Sequence, residues 1–258
     1  MEKMKLGAQL YTLRAYTATP KMFARAMYLV AYRGYKYVQI SGQADCITNE
    51  MILSEAKKNG LTIGLTHWDD DAIINDTLGV LEIHDKFGCD GIGIGGMPRP
   101  MRNFDGYKQF AETYGRAIET IDKYGKHFCY HNHWFEFERY DNGKTGMDML
   151  LENCPSGLRL TFDTAWAHYG GVNCAKFIRE HGDKIYATHL KDLTVVNDVP
   201  KAAEVMEGNM DFDGIIEESA KAGIEWHFVE QDESRRNVST SLKISYRNLM
   251  EHYSEYLQ

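Results

Sequence analysis

The chain has 258 residues, 43% of them hydrophobic, with 29 basic and 37 acidic side chains and a formal charge of -8 at pH 7. That is enough apolar material for a substantial core, and the acidic balance excludes a nucleic-acid groove and disfavours docking to an anionic membrane surface. No run approaches the roughly 18 apolar residues of a membrane span, "MEKMKLGAQLYTLR" has no apolar signal region, and the five scattered cysteines form no CxxC pair. The expectation is a cytoplasmic protein with reduced thiols.

In chain order, one unit recurs: an amphipathic segment, a glycine, then a short strand-like run. "KLGAQLY" opens the chain. Gly34 precedes "YKYVQIS", Gly60 precedes "LTIGLTH", Gly88 precedes "CDGIGIG", and Gly125 precedes "KHFCYHNH". Gly157, Gly182 and Gly223 precede "LRLTFD", "DKIYATHL" and "IEWHFVE". Glycine suits the position just past a helix end, where the chain turns left-handed. Helix starts support the parsing: Pro20 as a first helical residue, Asn49 as an N-cap, and Asp69, Asp105 and Asp211 opening further helices. "SLKISYRNLMEHYSEYL" reads as a closing helix.

Eight strands, centred near Gln9, Gln39, Leu65, Gly93, Tyr130, Thr161, Ala187 and Phe228, alternate with helical segments. This is the pattern of an α/β fold of the (β/α)8 TIM-barrel type, one domain over residues 1–258. A doubly wound sheet would place a glycine-rich turn after the first strand, and "GAQLYTLRAY" has none. "GIGIGGMP" lacks dinucleotide spacing and is followed by prolines. Its glycines make room for a ligand at the strand tip.

A barrel places its chemistry at the C-terminal strand ends. These ends carry Tyr11, Ser41, His67, Gly95 and Gly96, the segment His131 to Glu136, Asp163, His189 and Glu230. Glu136, Asp163, His189 and Glu230 follow four successive strands and form a candidate metal site. Carboxylates with one imidazole suit Mn2+ best, and Mg2+, Co2+ or Zn2+ also fit. Without a cation, the acids would raise one another's pKa values. Trp68 and Trp166 offer faces for the apolar side of a sugar ring. The segment "KDLTVVNDVPKAAEVMEGNMDFDG" reads as a lid or wall over the site.

"YHNHWFEF", "FDTAWA", "HLKD" and "VEQD", in this order, resemble the sugar isomerase/epimerase group of xylose isomerase-like TIM barrels, a superfamily that includes inosose dehydratases, ketose 3-epimerases and endonuclease IV. The resemblance runs from "GAQLYTLR" to "FVEQDES". It implies one divalent metal held by Glu136, Asp163, His189 and Glu230, with Glu136 and Glu230 as the proton-transfer pair. It also implies that Lys191 contacts substrate. The remaining candidate substrate contacts are Tyr11, His67, His131, His133, Trp166 and His168. Two departures stand out. Many relatives carry the fifth-strand glutamate inside the strand, where this chain has Tyr130 and His131, so His131 or His133 is the alternative ligand. Ketose 3-epimerases carry a histidine where this chain has Trp166.

The expected activity is metal-dependent isomerisation or epimerisation of a ketose- or polyol-like carbohydrate through an enediolate. The alternative is a lyase of the inosose dehydratase or 3-keto-glycoside type. A repair nuclease would need more histidine ligands and a basic face. A non-catalytic sugar-binding subunit is the third class. A small carbohydrate is the expected partner, with neither nucleic acid nor membrane. Exposed barrel helices leave a homo-oligomer open.

Overall fold

A computed structural model describes residues 3–258. Eight parallel strands close into a barrel: β1 (Lys5–Gln9), β2 (Tyr37–Ile40), β3 (Thr62–His67), β4 (Gly91–Ile94), β5 (His127–His131), β6 (Leu158–Asp163), β7 (Ile185–Leu190) and β10 (Trp226–Val229), β10 pairing with both β1 and β7. Between β7 and β10 the chain adds an antiparallel hairpin, β8 (Asp192–Val196) with β9 (Val199–Ala203). Its two-residue turn places Asn197 and Asp198 at φ 51 and 65, the geometry that matches strand twist in tight hairpins. The expected wall over the site is this hairpin.

Ten helices pack outside the strands among the described residues: α1 (Pro20–Tyr32), α2 (Asn49–Lys58), α3 (Asp70–Asn75), α4 (Thr77–Phe87), α5 (Gly106–Lys123), α6 (Gly146–Asn153), α7 (Thr164–Tyr169), α8 (Cys174–His181), α9 (Phe212–Ala222) and α10 (Val238–Tyr253). No helix among the described residues is long and apolar enough to cross a membrane. Pro20 opens α1, and Asp69 and Asp211 cap α3 and α9 through their carboxylates. The cap of α2 is Thr48, one residue before the expected Asn49, because its hydroxyl reaches Met51 N. Asp105 precedes α5 but makes no side-chain cap. Gly34, Gly60, Gly88, Gly125 and Gly223 turn with positive φ as expected. Gly182 instead stays right-handed at φ -58, because a one-turn 3-10 helix, Gly182–Lys184, continues the chain before β7.

Alternation along the strands fixes which residues face the barrel interior. Leu65, Cys129, Ala187, Trp226 and Phe228 form a separate buried cluster there. Two residues further along their strands stand His67, His131, His189 and Glu230. The interior therefore has an apolar floor and a polar top. The floor is shaped by a β-bulge: Val38 pairs with Ile63 but Gln39 with Leu65, leaving Gly64 as the extra residue. A Cβ on Gly64 would lie 2.3 Å from the Trp226 ring.

Gly64→Ala therefore overpacks the floor, and a loss of about 1–3 kcal/mol in urea denaturation is expected. A second test concerns His84 of α4, fully buried, which donates from Nδ1 to Val80 O and pairs through Nε2 with Thr66, next to His67. Burial pushes the His84 pKa down from 6.5 to about 4. The unfolded chain then binds the extra proton first, so stability is intact above about pH 6.5 and falls toward pH 4, by about 2 kcal/mol at pH 5. Urea midpoints at pH 7 and pH 5 in the wild type and in His84→Gln isolate this part, and the variant should lose about 2 kcal/mol less between the two pH values, the buried His227 still contributing its own share.

Candidate metal centre

Four buried side chains, His131, Asp163, His189 and Glu230, bring one ligand atom each to within 4.8 Å of one another. They project from the ends of β5, β6, β7 and β10, which are neighbours in the closed sheet. His131 Nε2 lies 3.3 Å from Asp163 Oδ2, while His189 Nδ1 lies 3.6 Å from Asp163 Oδ2 and 2.7 Å from Glu230 Oε2. Ligand atoms about 2.1 Å from one ion stand roughly 3.0–3.5 Å apart, so three of these edges are near coordination spacing.

The other polar atoms of His131, His189 and Asp163 are committed elsewhere, which aims their donors inward. His131 Nδ1 donates to Gly95 O at 3.1 Å, leaving Nε2 for the centre. His189 Nε2 donates to Gln39 Oε1 at 2.7 Å, leaving Nδ1. Asp163 Oδ1 caps α7 by accepting from Trp166 N at 2.8 Å, leaving Oδ2. Such outer contacts fix ring tautomer and carboxylate orientation in metal sites. His189 Nδ1 and Glu230 Oε2 are buried and have no hydrogen-bond partner despite their proximity. Facing donor atoms 2.7 Å apart, with Asp163 Oδ2 beside them, fit a shared cation, so the residues present suit a divalent ion. Two imidazoles and two carboxylates accept zinc, manganese, iron or cobalt.

Lys191 completes the electrostatics. Its side chain is 2% exposed, and Nζ lies 2.9 Å from Asp163 Oδ2, 3.3 Å from Glu230 Oε2 and 2.7 Å from Asp232 Oδ2. Burial alone would push the Asp163 and Glu230 pKa values up, but Lys191 and the nearby imidazoles hold both well below the carboxylate range. Burial likewise lowers His189, and Glu230 and Asp163 outweigh it and raise that pKa. Thr164 braces this region: its hydroxyl accepts from Lys191 N at 3.1 Å and lies 3.0 Å from His189 O and 2.8 Å from Lys191 O.

Glu136 does not join the cluster. Fully buried in a short 3-10 helix, it accepts from Tyr130 Oη at 2.5 Å and from His133 N at 2.8 Å. The strand-5 donor in the cluster is His131, the alternative left open by the sequence. The reason is strand geometry: His131 alternates inward with Cys129, whereas Tyr130 points to the helix layer and holds Glu136 there. Burial pushes the Glu136 pKa up to about 7. Asn132 is also structural, its Oδ1 accepting from Asp163 N at 2.9 Å.

The other expected contacts divide. The His67 ring lies 5.3 Å from that of His131 and 5.7 Å from that of His189, with Nδ1 on Ser41 Oγ at 3.1 Å and Nε2 buried without a partner. His133 stacks near Trp166 at 5.9 Å, and Lys191 Nζ lies 4.9 Å from the Trp166 ring centre. Tyr11 is at the mouth rim, where Arg14 covers its ring and reaches Asp232 O. His168 is exposed on the last turn of α7 and lines a different depression with Asn173 and Asp211, so it is not beside the cluster. Trp68 packs on His84 and Phe87. Sequence reading missed Gln39, Asp232, Trp134 and Tyr169. Gln39 had a signal: it shares the inward face of β2 with Ser41.

A family profile described as the xylose isomerase-like TIM barrel matches residues 29–248. The chain belongs to this family. No curated protein matches this xylose isomerase-like chain by sequence. Among solved structures, it is similar to a sugar phosphate isomerase/epimerase from Parabacteroides distasonis (20% identity, TM-score 0.78, covering 97% of this chain and 99% of that one). It also resembles an L-ribulose 3-epimerase (13%, TM-score 0.71, 98% and 95% covered). A third similar structure is the IOLI protein with a bound zinc atom (13%, TM-score 0.70, 98% and 99% covered). At these identities the likeness establishes the shared barrel.

Stripped protein titrated with Mn2+ or Zn2+ and followed by calorimetry should bind a single ion. His131→Ala and His189→Ala should abolish binding, while Glu136→Gln retains it. Gln39→Leu, which frees the His189 ring, should weaken affinity about 10–100-fold.

Proposed function

We propose that the protein is a divalent-metal-dependent sugar isomerase or epimerase acting on a ketose- or polyol-like carbohydrate. The observation that carries this reading is the convergence of His131, Asp163, His189 and Glu230 on one buried point at the C-terminal barrel mouth, with His189 Nδ1 and Glu230 Oε2 facing each other at 2.7 Å. The similar isomerase and epimerase folds support it.

His131, Asp163, His189 and Glu230 would hold the ion. When bound, it supplies Lewis-acid polarisation of a substrate carbonyl, which acidifies the neighbouring C–H. Glu230 is the carboxylate that would accept that proton, through the oxygen left free of the ion. Lys191 Nζ, fixed beside Asp163 and Glu230, supplies positive charge where a substrate oxygen gains negative charge. Glu136 is turned away on Tyr130 and His133, so a two-carboxylate proton pair does not suit this chain. His67 takes the second place: its Nε2 is free, and its pKa is held down first by burial and then by His131 and His189. A neutral imidazole carries the proton to or from the substrate. Trp166 walls the opening and Tyr11 and Arg14 its rim.

The lyase reading shares the first proton abstraction. Lys191 favours it to the extent that a fixed ammonium beside Glu230 can stabilise a departing oxygen.

Metal-loaded protein incubated in D2O with a panel of ketoses, inososes and 3-keto-glycosides should incorporate deuterium next to the carbonyl, followed by NMR. Glu230→Gln should slow exchange by about 10²-fold or more. A rearranged sugar identifies the isomerase, and an unsaturated or dehydrated product identifies the lyase. Absence of metal-dependent exchange across the panel would sink the proposal.

A further inference from the structure

Beyond Lys191 the mouth opens into a cleft of about 340 Å³. One side is aromatic: Trp134, Trp166 and Tyr169, with ring centres 4.7 Å (Trp134–Trp166), 5.9 Å (Trp134–Tyr169) and 6.2 Å (Trp166–Tyr169) apart. The other side is the hairpin, through Leu193, Pro200 and Ala202, with Lys201, Asp232 and Glu233 as polar groups. None of the four clustered donors lines this cleft, and its connection to them is Lys191 and Asp232.

This division matters for substrate size. A sugar whose reacting carbons sit on the donor cluster lies on the inner side of Lys191 and leaves the outer cleft unfilled. The cleft alone has the volume of a complete small-ligand pocket. Trp134 is 42% exposed and Tyr169 is 54% exposed, so both present large apolar area to solvent. Aromatic faces with flanking charged groups suit a ring that is apolar on its face and polar at its edge. The hairpin wall is firmly held, since Asp192 at its base accepts from Leu193 N, Met206 N, Gly208 N and Met210 N.

We infer that the outer cleft is a subsite for a second ring, so that the substrate is a glycoside or disaccharide rather than a free monosaccharide. This rests on the donor cluster being the reacting centre. The second ring stacks on Trp134 and meets at its edge Tyr169, whose plane stands 77° from that of Trp134, and its polar groups meet Lys201, Asp232 and Glu233.

Calorimetry on the full-length, metal-free protein tests the subsite apart from turnover, because no reaction is required. The probes are methyl and phenyl glucopyranosides in both anomers, cellobiose and maltose, with the galactose series alongside. A phenyl glycoside or a disaccharide should bind roughly tenfold tighter than the matching methyl glycoside. Trp134→Ala and Tyr169→Ala should each erase most of that advantage while leaving the methyl glycoside unchanged. Preference for the disaccharides identifies a sugar as the second ring, and preference for the phenyl compounds identifies an aryl group. Equal affinities, an advantage that survives both substitutions, or no binding of any probe overturns the inference. Failure of deuterium exchange with intact glycoside binding would instead overturn the catalytic reading alone.

Discussion

Everything at the barrel mouth depends on placing Asp163 and Glu230 in a fully buried position and still keeping them ionised. An isolated buried carboxylate is driven to its neutral form by loss of hydration. Here Lys191 touches both, and His131 and His189 flank them. The barrel makes this feasible because these groups stand at the ends of four neighbouring strands, His189 and Lys191 both at the end of β7, and each strand is anchored in a continuous sheet. No loop has to bend to bring them together.

The same constraint explains the surrounding polar network. Three members of the cluster spend one side on a fixed partner: Gly95 O for His131, Gln39 for His189, and the α7 backbone for Asp163. These contacts leave the free atoms pointing at one another. The cost of burying so many polar groups is offset by direction, since preorganised donors need little movement when a ligand arrives. Beneath them, the packing of Trp226 against Gly64 and Phe228 closes the interior from the opposite end.

The motif "YHNHWFEF" shows how function and support interleave. His131 faces the centre, Asn132 ties to the backbone of Asp163, and His133 stacks beside Trp166. Glu136 returns beneath them to hold Tyr130 and the His133 amide. The result is a cluster of two imidazoles and two carboxylates that could hold a metal ion, with Glu136 outside it. It also continues outward through Lys191 into an aromatic cleft lined by Trp134, Trp166 and Tyr169.

The barrel itself was legible in the chain, because glycines that turn left-handed after helices and apolar strand runs are local properties. Asp163, His189 and Glu230 were legible for the same reason: each ends a strand in phase with an inward neighbour. The choice between Glu136 and His131 was not, since it turns on which way the chain bends after β5 and on Tyr130 capturing the carboxylate. Nor was the placement of His168, which the short helix α7 rotates to the outside. Gln39, Asp232 and the Trp134–Tyr169 wall are remote in sequence from the groups they serve. Only the closed sheet, which sets distant strand ends side by side, could assign them partners, because such contacts depend on distance in space, and even the inward phase of Gln39 with Ser41 does not name His189 as its partner.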